Sequence, residues 1–215
     1  MYPIVKRMID FTLSIIALFV FCPILLTVAV IVKLESKGPI LFMQKRVGKD
    51  KKYFYILKFR TMRIDAPKDM PTHMLENPAV FITKSGKLLR KTSLDELPQI
   101  INILKGDMSI IGPRPALWNQ YDLIEERDRY GANDIVPGLT GWAQINGRDE
   151  LSIEVKARLD GEYVQSMGFV MDVKCFFGTI ISVLKREGVV EGGTGRDLKH
   201  TQEVIATKKG EELNV

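Results

Sequence analysis

An apolar stretch from Phe11 to Val32 constrains this chain more than any other feature of its sequence. No charged residue interrupts it before Lys33. A helix of this length, at about 1.5 Å of rise per residue, can cross a bilayer. The stretch is long for the apolar part of a cleaved signal peptide, and no small-residue cleavage pattern follows it. The sequence therefore predicts a membrane helix at the N-terminus.

The pair Cys22-Pro23 lies in the middle of this stretch and predicts a break in the helix. Proline removes a backbone donor and clashes with the preceding turn. Basic residues flank the stretch on both sides, so the rule that places them on the cytoplasmic face gives no orientation for a single crossing. Spanning and re-entrant forms are therefore equal alternatives at this stage. The flanking cations are Lys6, Arg7, Lys33, Lys37, Lys45 and Arg46.

The charge balance points to an anionic partner without identifying it. The chain has 31 Lys and Arg against 26 Asp and Glu, a net charge of +5. Phosphate, nucleic acid and a lipid surface all fit this modest excess. The cysteines Cys22 and Cys175 show neither metal-site nor disulfide spacing. His73 and His200 lie in polar stretches and are read as solvated rather than catalytic.

Two β-prone pieces follow the apolar stretch and predict a hairpin. Residues 40–43 and 53–62 are separated by a turn rich in glycine and lysine. Strand alternation would place Lys58 and Arg60 on one face and Phe59 on the other. A solvated strand face is the simpler explanation of the two cations.

The most reactive grouping in the sequence is the adjacent pair Asp95-Glu96. Cations precede and follow it in the sequence, as a site for an anionic substrate would require. A capping box, with Ser93 as the cap and Glu96 reaching back to it, explains the same residues structurally. Pro98 fits poorly in a helix that begins at Ser93. The flanking cations are Arg90, Lys91, Lys105 and Arg114.

Two loops further along the chain carry ligand-binding signals. Arg114 lies between two prolines in the run 112–115, which holds its backbone stiffly and suits bidentate phosphate binding. Bracing of a turn is the competing role for this arginine. Residues 137–148 place three glycines around one tryptophan, which permits close backbone approach to a ligand. Gln144, Asn146 and Arg148 could contact a base, a sugar or a phosphate there.

Five motifs in this order resemble the bacterial sugar transferase family of monotopic phosphoglycosyl transferases. The similarity runs from about Lys6 to about Lys185. The resemblance implies an α+β fold: a re-entrant membrane helix broken at Pro23, then a small cytoplasmic domain of helices with a β-hairpin and interfacial helices. The motifs are residues 58–62, 93–99, 105–109, 112–115 and 137–148.

The resemblance also implies an activity and a metal. Family members transfer a sugar 1-phosphate from a UDP-sugar to a membrane polyprenyl (undecaprenyl) phosphate and release UMP, in ping-pong fashion. Carried over, Asp95 would form a covalent phosphosugar, and Glu96, with Asp95, would hold Mg²⁺. The substrate-binding candidates are Lys58, Arg60, Arg90, Arg114, Gln144 and Arg148.

The domain organisation expected on this basis has three parts. Residues 1–36 form the re-entrant helix, 37–190 the catalytic domain and 191–215 a polar tail. The location expected is the cytoplasmic face of the bacterial inner membrane, and the length suggests the compact form of the family. A homo-oligomer is left open. The alternative is a membrane-anchored basic module that binds anionic lipid or nucleic acid without turnover, although no nucleic-acid motif is present.

Overall fold

The computed structural model describes residues 2–67, 75, 77–147 and 150–185. Within them, a long N-terminal helix is followed by a mixed domain of helices and short strands, so the α+β fold class is confirmed. The predicted tail, 191–215, lies outside the described residues. The helices are α1 (Tyr2–Glu35), α2 (Lys84–Thr92), α3 (Gln99–Lys105), α4 (Tyr121–Asp128), α5 (Trp142–Ile145), α6 (Ile153–Gln165) and α7 (Phe169–Lys185). The strands are β1 (Leu41–Val47), β2 (Tyr53–Phe59), β3 (Ser109–Ile111) and β4 (Gly138–Thr140).

Helix α1 is long and apolar enough to cross a membrane, and most of its apolar side chains are exposed, as a membrane anchor requires. The helix is continuous from Tyr2 to Glu35 with Pro23 inside it, so the predicted break at Cys22-Pro23 is not confirmed. The Thr27 hydroxyl donates to the Pro23 carbonyl at 2.8 Å and stays within the helix. The re-entrant course remains a prediction.

The N-terminal half of α1 is fastened to the domain by polar contacts. Arg7 donates to the carbonyls of Ile103 and Leu104, at 2.5 and 2.8 Å, and so satisfies acceptors at the C-terminal end of α3. Asp10, which is buried, accepts from the Ser109 hydroxyl at 2.7 Å and from the Ile110 backbone at 3.1 Å. The start of α1 therefore contacts both α3 and β3.

The C-terminal end of α1 is fastened to the same domain. Val28 and Val32 form a buried apolar cluster with Phe59 and Leu89, so α1 packs on β2 and α2. Glu35 accepts hydrogen bonds from the backbone and hydroxyl of Ser85 in the first turn of α2. Both ends of this helix consequently contact one folded unit.

The predicted hairpin is confirmed as an antiparallel pair of β1 and β2. Its register joins Leu41 to Phe59 at one end and Val47 to Tyr53 at the other. Asn102 of α3 closes the remaining edge of β2 by accepting from the Leu57 backbone at 3.0 Å. It also donates to the Tyr55 carbonyl at 2.8 Å. These two hydrogen bonds hold β2, which includes Lys58, against α3.

A second sheet and the C-terminal helices complete the domain. Strands β3 and β4 pair in parallel. Asp172 of α7 accepts from the hydroxyls of Tyr2 and Tyr163 and from the Lys6 ammonium, each at 2.6 Å, and thereby joins α1, α6 and α7. Helix α7 leaves large apolar side chains exposed, Val170 most of all at 81%. Helices α6 and α7 form the C-terminal part of the described chain.

Candidate active site

The acidic pair lies on a 3₁₀ turn, Leu94–Glu96, between α2 and α3. Ser93 ends α2 in the left-handed conformation, with φ of 56°, and its N–H bonds to carbonyls of the last turn. The Ser93 side chain makes no capping hydrogen bond. Helix α3 begins only at Gln99, after Pro98. The capping-box interpretation is therefore wrong: the left-handed Ser93 redirects the chain, and Pro98 delays the helix.

Glu96 is held by two cations from distant parts of the chain. One carboxylate oxygen accepts from the Lys58 ammonium at 2.6 Å and from the Arg114 guanidinium at 2.9 Å. The Glu96 side chain is only 14% exposed. Burial on its own would raise the pKa of this carboxyl, but Arg114 and Lys58 hold it well below its usual value. Glu96 is consequently a fixed anion.

Asp95 has a different environment from its neighbour, although both line the same cavity. Burial raises the pKa of Asp95 to about 6, an effect that Lys58, Arg90 and Arg114 oppose and the Glu96 charge reinforces. Lys58 and Arg114 both form ion pairs with Glu96. Glu96 is thus held in two ion pairs, and both carboxylates line the cavity.

A fourth cation, Arg46, was not recognised as a site residue from the sequence. It lies on β1 and donates to the Pro115 carbonyl at 2.9 Å. Burial, and after it the charge of Arg114, lowers the pKa of Arg46 to about 9, while Glu96 opposes the shift. Its position on the strand neighbouring Lys58 is the only sequence signal that could have identified it.

The loop that carries Arg114 packs closely against β4. A Cβ on Gly112 would lie 2.8 Å from the Val136 carbonyl and 2.9 Å from the Gly138 nitrogen. Such contacts are too short for any side chain, so the loop can approach the strand only with glycine at this position. The 112–115 motif and the start of the 137–148 motif, predicted separately, therefore form one structural unit.

These residues line a cavity of about 450 Å³, within the usual range for small-molecule sites. The structure brings Lys58, Arg60, Arg90, Arg114 and Gln144 of the predicted set to its walls. Arg148 lies outside the described residues. The Gln144 amide donates to the Leu139 carbonyl at 3.0 Å, which fixes the side chain in the wall. Apart from Arg148, the predicted set shares one cavity.

Arg60 also has a structural role that the sequence interpretation missed. Its guanidinium donates to the carbonyls of Val32, Ser36 and Lys37 at 3.1, 2.7 and 2.9 Å. These are carbonyls at the C-terminal end of α1, where helical acceptors lack partners. Arg60 therefore anchors the C-terminal end of α1 to the domain, and a substrate contact by this residue stays a prediction.

Asp95 and Glu96 are the residues that could hold a metal here. No group of three or more His, Cys, Asp or Glu suited to a metal occurs within residues 2–67, 75, 77–147 and 150–185. Mg²⁺ is commonly bound by only one or two carboxylates together with substrate phosphates and water. Two adjacent carboxylates beside a cavity fit that pattern, because the remaining ligands would come with a phosphate substrate.

Comparison with known proteins identifies the family of this chain. The chain is 41% identical to EpsL, an uncharacterized sugar transferase of Bacillus subtilis (strain 168), over 86% of this chain and 90% of EpsL. It is 40% identical to the UDP-glucose:undecaprenyl-phosphate glucose-1-phosphate transferase of Escherichia coli (strain K12), over 82% of this chain and 39% of that protein.

A third relative is the UDP-N-acetylgalactosamine-undecaprenyl-phosphate N-acetylgalactosaminephosphotransferase of Aeromonas hydrophila. It is 38% identical over 85% of this chain and 44% of its own length. The chain thus spans less than half of these last two relatives. The model of the family described as bacterial sugar transferase matches residues 1–186, which include every motif and described site residue above. The chain therefore belongs to the bacterial sugar transferase family.

Proposed function

We propose that this protein transfers a sugar 1-phosphate from a UDP-sugar to a polyprenyl phosphate such as undecaprenyl phosphate, releasing UMP. The observation that carries the proposal is the division within the acidic pair: Glu96 is held by Lys58 and Arg114, and Asp95 lines the cavity. The names of two relatives state this type of transfer for glucose and N-acetylgalactosamine. The reaction would begin the assembly of a surface polysaccharide or glycoconjugate.

Asp95 is the nucleophile in this proposal. One of its oxygens attacks the β-phosphorus, and the bond from that phosphorus to the oxygen bridging the two phosphates breaks. UMP departs with that oxygen, and the sugar phosphate remains on Asp95 as an acyl phosphate. A phosphate oxygen of the lipid then attacks the same phosphorus and regenerates the carboxylate. Because UMP leaves before the lipid attacks, one cavity serves both substrates in turn.

The cations offset the charge that this chemistry concentrates. A carboxylate approaching a pyrophosphate meets like charge, so positive groups must already be in place. Lys58 and Arg114 lie at Glu96, and Arg90 acts on Asp95 from the end of α2. Their placement in the folded protein avoids reorganisation during the transfer.

Mg²⁺ is the cofactor we propose, held by Asp95 and Glu96 beside the phosphates. When bound, it would polarise the phosphate oxygens and neutralise part of their charge. The ion pairs of Glu96 then have a second purpose, since they keep that carboxylate ionised and correctly oriented for the metal. Glu96 is accordingly a ligand in this proposal, and Asp95 is both ligand and nucleophile.

A re-entrant course of α1 is supported by its contacts. A helix that spans a bilayer has its ends on opposite sides, whereas a folded domain lies on one side. Arg7 and Asp10 near the start of α1, and Ser36 just after its end, all contact this domain. We therefore propose that α1 bends at Pro23, where a backbone donor is missing, and so dips into the membrane and returns to the same side. The exposed apolar side chains of α7 would then lie in the same interface.

Cysteine labelling tests this topology. Single cysteines at Ile4 and at Lys37, in a Cys22→Ser, Cys175→Ala background, should both react with a membrane-impermeant maleimide in inverted inner-membrane vesicles. Neither should react in intact spheroplasts, where only the periplasmic face is open to the reagent. Labelling of one position from each side would show that α1 spans the membrane.

The activity itself is tested with purified protein, undecaprenyl phosphate and a panel of UDP-sugars. We expect UMP release with at least one of UDP-glucose, UDP-galactose and their N-acetylated forms, lost with EDTA and restored by Mg²⁺. The panel also identifies the sugar. Salt-sensitive binding to anionic vesicles or oligonucleotides, with no UMP released from any donor, would favour the non-catalytic basic module instead.

A further inference from the structure

The cavity wall contains a buried ion pair that makes no contact with the acidic pair. Arg127 of α4 donates through Nε and Nη2 to one oxygen of Asp160 in α6, at 2.8 and 2.5 Å. Both residues are almost fully buried, at 3% and 1% exposure. A buried ion pair contributes little net stability, because the cost of desolvating both charges offsets their attraction. A role in stability alone therefore explains this pair poorly.

The third donor nitrogen of Arg127 contacts the loop that carries Arg114. Its Nη1 donates to the Arg114 carbonyl at 2.9 Å. The next carbonyl, that of Pro115, accepts from Arg46 at 2.9 Å. Arg46 is itself held by the side-chain oxygen of Gln44, through Nη2 at 2.6 Å and Nε at 3.1 Å. Two consecutive carbonyls are thus fixed by arginines from different elements.

Backbone hydrogen bonds hold the loop on either side of these two carbonyls: the Gly112 N–H donates to the Thr140 carbonyl at 2.8 Å, and the Pro113 carbonyl accepts from the Gly138 N–H at 2.8 Å. Pro113 and Pro115 have no N–H to donate, so between these bonds the Arg114 and Pro115 carbonyls anchor the chain through Arg127 and Arg46. Arg114 has a long side chain that loses about 2 kcal/mol of rotamer entropy when it is held in place. Hydrogen bonds to the Arg114 and Pro115 carbonyls hold the main chain in place and so limit the positions that the Arg114 guanidinium can reach.

We propose that Arg127, oriented by Asp160, and Arg46, oriented by Gln44, are positioning residues that hold the Arg114 guanidinium at Glu96 for the transfer step. This inference rests on the proposed function, since Arg114 matters there as the cation that pairs with Glu96. Arg127 and Arg46 act through Arg114 and not on the substrate. A displacement of about 1 Å at a reacting group can lower a rate a hundredfold.

The Arg127→Lys variant provides the test. Lysine keeps the positive charge opposite Asp160, but it cannot bind Asp160 through two nitrogens and also reach the Arg114 carbonyl. We expect kcat for UMP release to fall about 10- to 100-fold, while KM for the UDP-sugar changes less than about threefold. Tyr163→Phe is the matched control, because it removes a buried hydrogen bond to Asp172 outside the cavity. Both variants are assayed well below their unfolding temperatures.

A double-mutant cycle separates positioning from simple destabilisation. If Arg127 acts through Arg114, the Arg127→Lys change should lower kcat less than about threefold in an Arg114→Lys background. Equal and additive losses in the two backgrounds would overturn the inference, and so would a loss in Arg127→Lys no larger than in Tyr163→Phe. A wild-type protein without UMP release would overturn the proposed function and this inference together, whereas the first two outcomes overturn the inference alone.

Discussion

Replacement of Asp95 by asparagine should remove UMP release almost completely, by at least about a thousandfold, in a protein that still folds. Asparagine has nearly the same shape as aspartate but cannot act as the anionic nucleophile. The decisive measurement is a single turnover without lipid acceptor. Wild-type protein should then release up to one UMP per molecule and retain radiolabelled phosphosugar, and the Asp95→Asn variant should do neither.

Glu96→Gln distinguishes the two proposed roles of the acidic pair. Glutamine keeps a hydrogen-bond acceptor near Lys58 and Arg114 but loses the charge that pairs with them and would hold the metal. We expect UMP release to become slow and to require more Mg²⁺, while labelled phosphosugar still accumulates on Asp95. The control is Asp128→Asn, which alters an exposed pair with Lys51 and should leave turnover unchanged. UMP release by Asp95→Asn at the wild-type rate would exclude Asp95 as the nucleophile.

Replacement of Arg60 by methionine should destabilise the protein by several kcal/mol. Methionine has a similar length but offers no donor, so the carbonyls of Val32, Ser36 and Lys37 would lose their partner. Each buried polar group left without a partner costs about 1–3 kcal/mol. The expected result is a clear fall in the denaturation midpoint, measured in detergent, with loss of helix α1 from the domain surface.

Arg63→Met is the matched control for this substitution. Arg63 lies three residues further along and forms an exposed pair with Asp65, so its loss should change stability by no more than about 0.5 kcal/mol. A variant Arg60→Met with unchanged stability but a raised KM for the UDP-sugar would contradict the anchoring role. It would favour the sequence-based interpretation of Arg60 as a substrate contact.

Local sequence patterns predicted some elements of the fold, but not the parallel pair of β3 and β4, nor α2 and α4. The hairpin followed from two β-prone runs joined by a Gly- and Lys-rich turn. The pair Asp95-Glu96 was recognised because cations precede and follow it in the sequence. Its surroundings were interpreted less well, since the capping box assumes a regular helix start that the left-handed Ser93 does not provide.

Contacts between distant segments could not be predicted in the same way. Arg46, Arg127 and Asp160 have no local motif, and each matters only through a partner far along the chain. Arg60 shows the same difficulty, because an arginine beside a cavity can serve either a ligand or a helix end. Its hydrogen bonds to α1 reveal an anchor that periodicity could not indicate.

The apolar cluster at the C-terminal end of α1 has a consequence for how the acceptor is found. Leu94 packs against the cluster that contains Val28 and Val32, and the next residue in the chain is Asp95. The proposed nucleophile therefore lies one residue from the surface that packs against α1. A lipid phosphate confined to the head-group layer diffuses in two dimensions only. If the acyl phosphate on Asp95 lies in that layer, the lipid would reach it by lateral diffusion alone.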